Sequence, residues 1–326
     1  MTKRRRLLKG LGGLLLAPRL ALAQQPGRTY RLCWLSSSAP RTETYNVALV
    51  QRLRDLGFVE GRNLVIEYRS ADGRTDRLAP LAEDLARQKC DAILALGTEA
   101  NLLAIKNATR DTPIIVVATD YDPVATGHVA SLARPGGRLT GVSHLQSELP
   151  AKRLELLREF MPGARKFAVL ADTVSAGQLA VTQEAAKRLG VALVVHQLTR
   201  APYDYDAAFA EFARAKPDAF LALASGLFVS ARKTIPALAL KYRLPSMFNN
   251  RLWAESGGLL SYGVNFAATY RRAAEQTAMV LNGAKPAEMP MEQGTAVELV
   301  VNLRTAKALG VAVPQSMVAR ADEVIQ

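Results

Sequence analysis

The sequence predicts an α/β protein of two similar lobes, each a parallel sheet covered by helices on both faces, with a ligand cleft between them. Three observations lead there. Continuously apolar runs of five to eight residues alternate with longer amphipathic stretches, and strands without polar alternation belong to parallel sheets buried on both sides. The run ARQKCDAILALG (86–97) returns as ARAKPDAFLALA (213–224), with eight identities at a constant offset of 127 residues. The chain's 326 residues also exceed what one compact core usually holds, so two domains of roughly 150 residues each are expected.

Taken in order, residues 30–36 read as a strand, and 45–56 read as a helix closed by Gly57 with Val47, Leu49, Val50, Leu53 and Leu56 on one side. A strand at 64–69, a helix at 74–89, a strand at 92–97 and a helix of about ten residues follow. Then come a strand at 113–120, a short helix near 124–132, a Pro135-Gly136-Gly137 turn and a strand at 139–143. The second half repeats the order: strands at 166–172, 192–198, 219–225, 245–250 and 259–263, with helices between, one of them closed by Gly190. Pro113 and Pro245 open equivalent strands, and Gly136-Gly137 and Gly257-Gly258 precede equivalent ones. Two copies of one βα unit are the simplest account.

In open parallel sheets a ligand sits beyond the carboxyl ends of the strands, where helix N-termini present free N–H groups and positive dipole. Two such units side by side turn these loops toward a shared crevice. The candidate contacts are therefore polar residues at strand tips: Ser37 and Ser38, Gly97 with Thr98, Thr119 and Asp122 from the first half, and Asp172, Ser225 and Asn249 from the second. Thr98 opens a helix and could hold a carboxylate or simply cap that helix. Asp122 could pair with a ligand ammonium or cap the segment after Pro123. Tyr262 and Trp253 could form an aromatic wall or pack in the interior.

The net charge of +13 resembles a nucleic-acid signal until it is located. Six positive residues and no acid lie in the first 23, MTKRRRLLKGLGGLLLAPRLALA, which end in small residues at Ala21 and Ala23. That layout predicts an export signal cleaved after about Ala23, and its apolar run is too short for a membrane span. Arg4 to Lys9 resemble a twin-arginine export motif. Elsewhere bases and acids mix along helix faces, which describes solvated surface and no nucleic-acid partner. Cys33 and Cys90, the two cysteines, fall at strand positions and read as buried and free, with a disulfide permitted by export. His128, His144 and His196 share no metal-ligand spacing, and neither a metal nor a cofactor is expected.

Five long blocks carry a resemblance: LRDLGFVEGRNLVIEYRSADGRTDRL (53–78), DPVATGHVASLARPGGRLTGVS (122–143), KRLELLREFMPGARKFAVL (152–170), GGLLSYGVN (257–265) and ELVVNLRTAKALGVAVPQSMVARADEVI (298–325). In them the chain resembles the substrate-binding proteins of ABC transporters, in the branch with tryptophan- and tyrosine-binding members. The resemblance implies the type I periplasmic-binding fold, two Rossmann-like lobes joined by three crossover segments. It implies a first lobe over 28–144 completed by about 266–292, and a second over 145–265 completed by about 293–326. It further implies a monomeric periplasmic receptor that passes a small-molecule solute to a membrane permease. Relatives often carry Asp-Pro after Ser225, where this chain has Gly226-Leu227, and Asn-Pro near Asp172-Thr173, so both departures fall in the crevice.

An enzyme working in the same crevice lacks a Gly-x-Ser-x-Gly elbow, a phosphate-binding glycine loop after a strand and any Cys/His pair. A cytoplasmic regulator would carry a DNA-binding helical unit where this chain carries the basic leader. The expectation is an amino acid or related carboxylate, bound and not converted.

Overall fold

The computed structural model describes residues 27–37, 40–119, 121–144, 149–200 and 202–326. The expected export signal and Ser38 lie outside these residues.

The first half runs β1 (Tyr30–Ser36), α1 (Thr44–Asp55), β2 (Leu64–Ser70), α2 (Leu78–Ala86), β3 (Ala92–Gly97), α3 (Glu99–Ala108), β4 (Ile114–Thr119) and β5 (Leu139–His144). The second runs α4 (Leu149–Phe160), β6 (Lys166–Asp172), α5 (Ala176–Leu189), β7 (Ala192–Leu198), α6 (Tyr205–Ala215), β8 (Ala219–Ala222), α7 (Thr234–Lys241), β9 (Ser246–Phe248), α8 (Arg251–Glu255) and β10 (Leu260–Val264). The chain closes with α9 (Phe266–Leu281), β11 (Glu292–Gln293), β12 (Val297–Asn302), α10 (Leu303–Leu309), α11 (Gln315–Arg320) and β13 (Glu323–Ile325).

Two sheets result, in the orders β11-β5-β4-β3-β1-β2 and β13-β12-β10-β9-β8-β6-β7. Set side by side, β5-β4-β3-β1-β2 and β10-β9-β8-β6-β7 are the same five-strand arrangement, all parallel. The sequence repeat is therefore a structural duplication. Strand neighbours alternate faces, so in the first sheet Leu32, Trp34, Leu94, Leu96, Ile115 and Val117 meet α1 and α9 on one side. Cys33, Leu35, Ile93, Ala95, Ile114 and Val116 meet α2 and α3 on the other. The second sheet divides likewise, with Val169 and Leu221 on one face and Leu170 and Phe220 on the other. Burial on both faces is why these strands read as unbroken apolar runs.

The repeated Asp before β3 and β8 has the same task in each copy. Asp91 accepts the Arg31 N–H at 2.7 Å, and Asp218 accepts those of Arg165 and Lys166 at 2.7 and 2.9 Å. Each carboxylate thus joins the entry of the third strand to the entry of the first. Gly141 in β5 and Gly263 in β10 are each crowded by the neighbouring segment of chain. A Cβ would come to 2.1 Å from the Val116 carbonyl oxygen at the first, and to 1.8 Å from that of Asn249 at the second. Only glycine admits so close a neighbouring segment.

Two expectations are corrected. Residues 124–132 form turns in place of a helix: the Asp122 carboxylate accepts the Val124 and Ala125 N–H groups, and Gly127 at φ +72° ends the single turn. Cys33 and Cys90, read as free, are joined in a disulfide with Cα atoms 5.8 Å apart. The pairing of β1 with β3 brings Cys33 beside the turn that enters β3.

After β5 the chain passes to α4 on the second sheet, after β10 to α9 on the first, and after β11 back to β12 on the second. No described helix is long and apolar enough to cross a membrane.

Candidate functional site

Duplicated topology places the strand tips of both lobes at corresponding ends, and a cavity of about 700 Å³ lies between the lobes. From the first lobe come Pro40, Glu43 and Tyr45, around the start of α1, and Asp72-Gly73 beyond β2. From the second come Gly226, Leu227, Val229 and Ser230 in a 3-10 turn, then Arg232, Lys233 and Thr234 at the entry to α7.

None of the described sequence-predicted residues is among those that line this cavity. Ser37 and Gly97 are brought together: a Cβ on Gly97 would be 2.6 Å from the Ser37 hydroxyl oxygen, and the Ser37 carbonyl accepts the Gly73 N–H at 2.9 Å. Thr98 is exposed at the N-cap of α3, yet its hydroxyl makes no capping bond. That leaves the hydroxyl available for another partner. Thr119 ends β4 half-buried, level with His144 on β5. Asp122 gives one carboxylate oxygen, Oδ1, to the turn already described.

In the second lobe, Asp172 and Ser225 are tied to one another. Buried Asp172 accepts the Ser225 hydroxyl and the Ser175 N–H, the latter at 2.9 Å, while the Ser225 oxygen accepts the Leu227 N–H at 3.1 Å. Gln178 clamps the Ala224 backbone through both ends of its amide, at 2.9 and 3.0 Å. The Tyr203 phenol is held above its usual pKa by burial, with the Asp172 carboxylate beside it. The network fixes the loop that carries Gly226 and Leu227 into the cavity. Asn249 follows β9, half-buried, with its carbonyl under Gly263. Tyr262 packs against the second-lobe core, its carbonyl accepting Arg153 Nε at 2.7 Å. Trp253 is interior, stacked on Phe248 at 5.1 Å.

Sequence reading did not single out Glu43 and Arg232. Arg232 Nη1 donates to Glu43 Oε1 at 2.6 Å across the cavity, with side-chain exposures of 33% and 9%. Among the described residues it is the one ion pair linking the two lobes; each of the others joins side chains of a single lobe. The neighbouring Tyr45 phenol is pushed well up, by burial first and then by the Glu43 charge, with Arg232 opposing. The cavity's other charges are Asp72, which accepts Arg77 Nη1 at 2.6 Å, and the exposed Lys233. Both signs of charge therefore line one space. His128 and His196 have carboxylate partners, Glu99 at 2.8 Å and Glu211 at 2.6 Å. Among the described residues no group of three or more acidic, histidine or cysteine side chains could hold a metal.

With this geometry in hand, residues 39–325 match the family model described as ABC transporter substrate binding protein. A tyrosine-binding protein of Clostridioides difficile (strain R20291) is 27% identical over 273 residues, covering 83% of this chain and 77% of the relative. Among solved structures, an ABC domain in complex with L-Trp from Streptococcus pneumonia superposes with a TM-score of 0.78 at 21% identity, covering 91% of this chain and all of that one. The ligand-free, open structure of a substrate-binding protein with adhesive properties from Clostridium difficile gives 0.68 at 25% identity, with the same coverage.

Proposed function

The chain belongs to the ABC transporter substrate-binding protein family, and on that premise we propose that it is the exported receptor of an importer, capturing an amino acid or related carboxylate between its lobes and delivering it to a membrane permease. The observation that carries this reading is the cavity of about 700 Å³ walled by both lobes and lined by groups of both charge signs. Closing two lobes around a solute buries it and surrounds it with short hydrogen bonds without any chemistry. The relative's description as tyrosine-binding, and a similar fold crystallised with L-Trp, favour aromatic amino acids as the first to try. Leu227, Val229 and Tyr45 offer such a side chain an apolar lining.

In this reading Thr98, whose hydroxyl is not spent on capping, is a carboxylate contact, and Ser37, Ser38, Gly97, Thr119, Asp122, Asp172, Ser225, Asn249 and Tyr262 form or support the inner surface. The lobe limits are 28–144 with about 266–292, and 145–265 with about 293–326. Membership of β11 in the first sheet and of β12 and β13 in the second supports that division. A leader cleaved after about Ala23 takes the protein to the periplasm, where it acts as a monomer. The first 23 residues, basic and then apolar with small residues at the end, support that part.

Thermal unfolding of the mature protein against the common amino acids tests the proposal. A true cargo at a hundred times its Kd adds about 2.7 kcal/mol of stability, visible as a clear rise in Tm. If no zwitterion moves the transition, the amino-acid reading fails.

A further inference from the structure

We propose that Arg232 and Glu43 are the two halves of a zwitterion receptor, Arg232 taking the cargo's carboxylate and Glu43 its ammonium group. The inference rests on the amino-acid reading above and assigns that site its charge-recognising residues.

Their placement argues for it. Glu43 stands just ahead of α1 on one lobe and Arg232 just ahead of α7 on the other, and both line the cavity. They are 189 residues apart in sequence and meet at 2.6 Å, so no local helical spacing explains the pair. Glu43 is nearly buried, with 9% of its side chain exposed. A carboxylate in that position has to be matched by a positive group, because leaving it alone costs more than the pair itself contributes. Asp72 is already committed to Arg77, which leaves Glu43 as the cavity carboxylate whose cation comes from across the gap.

A free amino acid carries the complement of both partners. Its carboxylate can replace Glu43 on the planar guanidinium, and its ammonium can replace Arg232 on Glu43. The exchange leaves each charge compensated and the total unchanged. A molecule with only one of the two charged groups leaves either Arg232 or Glu43 without its counter-ion in the occupied cleft. The pair therefore selects for zwitterions over simple acids and simple amines, since a site built for a polar group rejects an analogue that lacks it.

Calorimetry on the full mature chain tests this with L-tryptophan, L-tyrosine and L-phenylalanine, their deamino 3-arylpropionates and their decarboxylated arylethylamines. Wild type should bind at least one of the zwitterions and prefer it to both of its analogues. Arg232→Gln should weaken that zwitterion by about 30-fold or more, the size expected for removing one side of a buried charge pair, and Arg232→Lys by less, since it keeps the charge and loses the fork. Glu43→Gln should weaken the zwitterion but tighten the arylpropionate, because Glu43 no longer competes for Arg232. Circular dichroism and melting confirm that each variant is folded. If wild type binds these zwitterions and Arg232→Gln binds them equally well, the assignment is overturned while the receptor reading stands. If Arg232→Gln and Glu43→Gln shift all three ligand classes alike, the pair is a latch between the lobes and the assignment is again overturned. If wild type binds none of the zwitterions, the amino-acid reading for this cleft and the assignment fall together.

Discussion

Asp218 shows how a single side chain explains a repeated word. Its carboxylate lies below the usual range because two backbone N–H groups donate to it, and Asp91 holds an equivalent post in the other copy. Asp218→Ala should cost about 1 kcal/mol, the size of a typical net hydrogen bond at an exposed site, read as a lower urea midpoint at unchanged slope. His144 is a different case. Burial pushes its pKa down to about 4, with the Gly294 backbone opposing, and the Phe266 ring stands edge-on at 6.2 Å. The folded value lies below the ordinary 6.5, so the contribution of the neutral ring is complete above about pH 6.5 and declines as pH falls toward 4. Between pH 7 and pH 4.5, wild type should lose about 2 kcal/mol more stability than His144→Leu. Equal losses would mean that the ring binds its proton as readily in the fold as in the unfolded chain.

Among the elements, those with one clear pattern were legible. The apolar runs gave β1, β3, β4 and β6 because both faces of these strands are covered, and Gly190, in the left-handed conformation, closes α5 where the sequence places the end. The segment 124–132 was not legible. Its apolar spacing imitates a helix, while Asp122 and Gly127 close a turn through bonds that periodicity does not register. Gly141 and Gly263 were equally silent, since the crowding at each is made by a segment distant in sequence. Gly141→Ala should cost about 3 kcal/mol through overpacking against Val116, whereas Gly163→Ala, with open space around it, should stay within about 0.5 kcal/mol of wild type; paired urea curves decide. The disulfide spans 57 residues, and loop entropy sets its contribution at up to about 4 kcal/mol. Unfolding with and without reductant should show a loss of that order, and Cys33→Ala/Cys90→Ala should be insensitive to reductant.

At the scale of the whole molecule, the duplication pointed to a cleft between two lobes, and a cavity lined by residues of both halves is present, although the strand-tip residues named from sequence are not among those that line it. What it could not tell was which side chains meet across the gap. Glu43 and Arg232 lie at helix entries and not at strand ends, and only the relative setting of the lobes brings them together. Thr98 and Asp122 looked alike in sequence, each a polar residue opening a segment, and the backbone separates them: one hydroxyl is unused by its helix, and the other side chain gives an oxygen to its turn. The chain has no cysteines beyond Cys33 and Cys90, which gives the molecule a practical property. A thiol introduced at exposed Val174, just past β6, or at Val124, just past β4, would be the sole reactive sulfur under non-reducing conditions. A dye attached there would report the movement of one jaw against the other with the native covalent tie left intact.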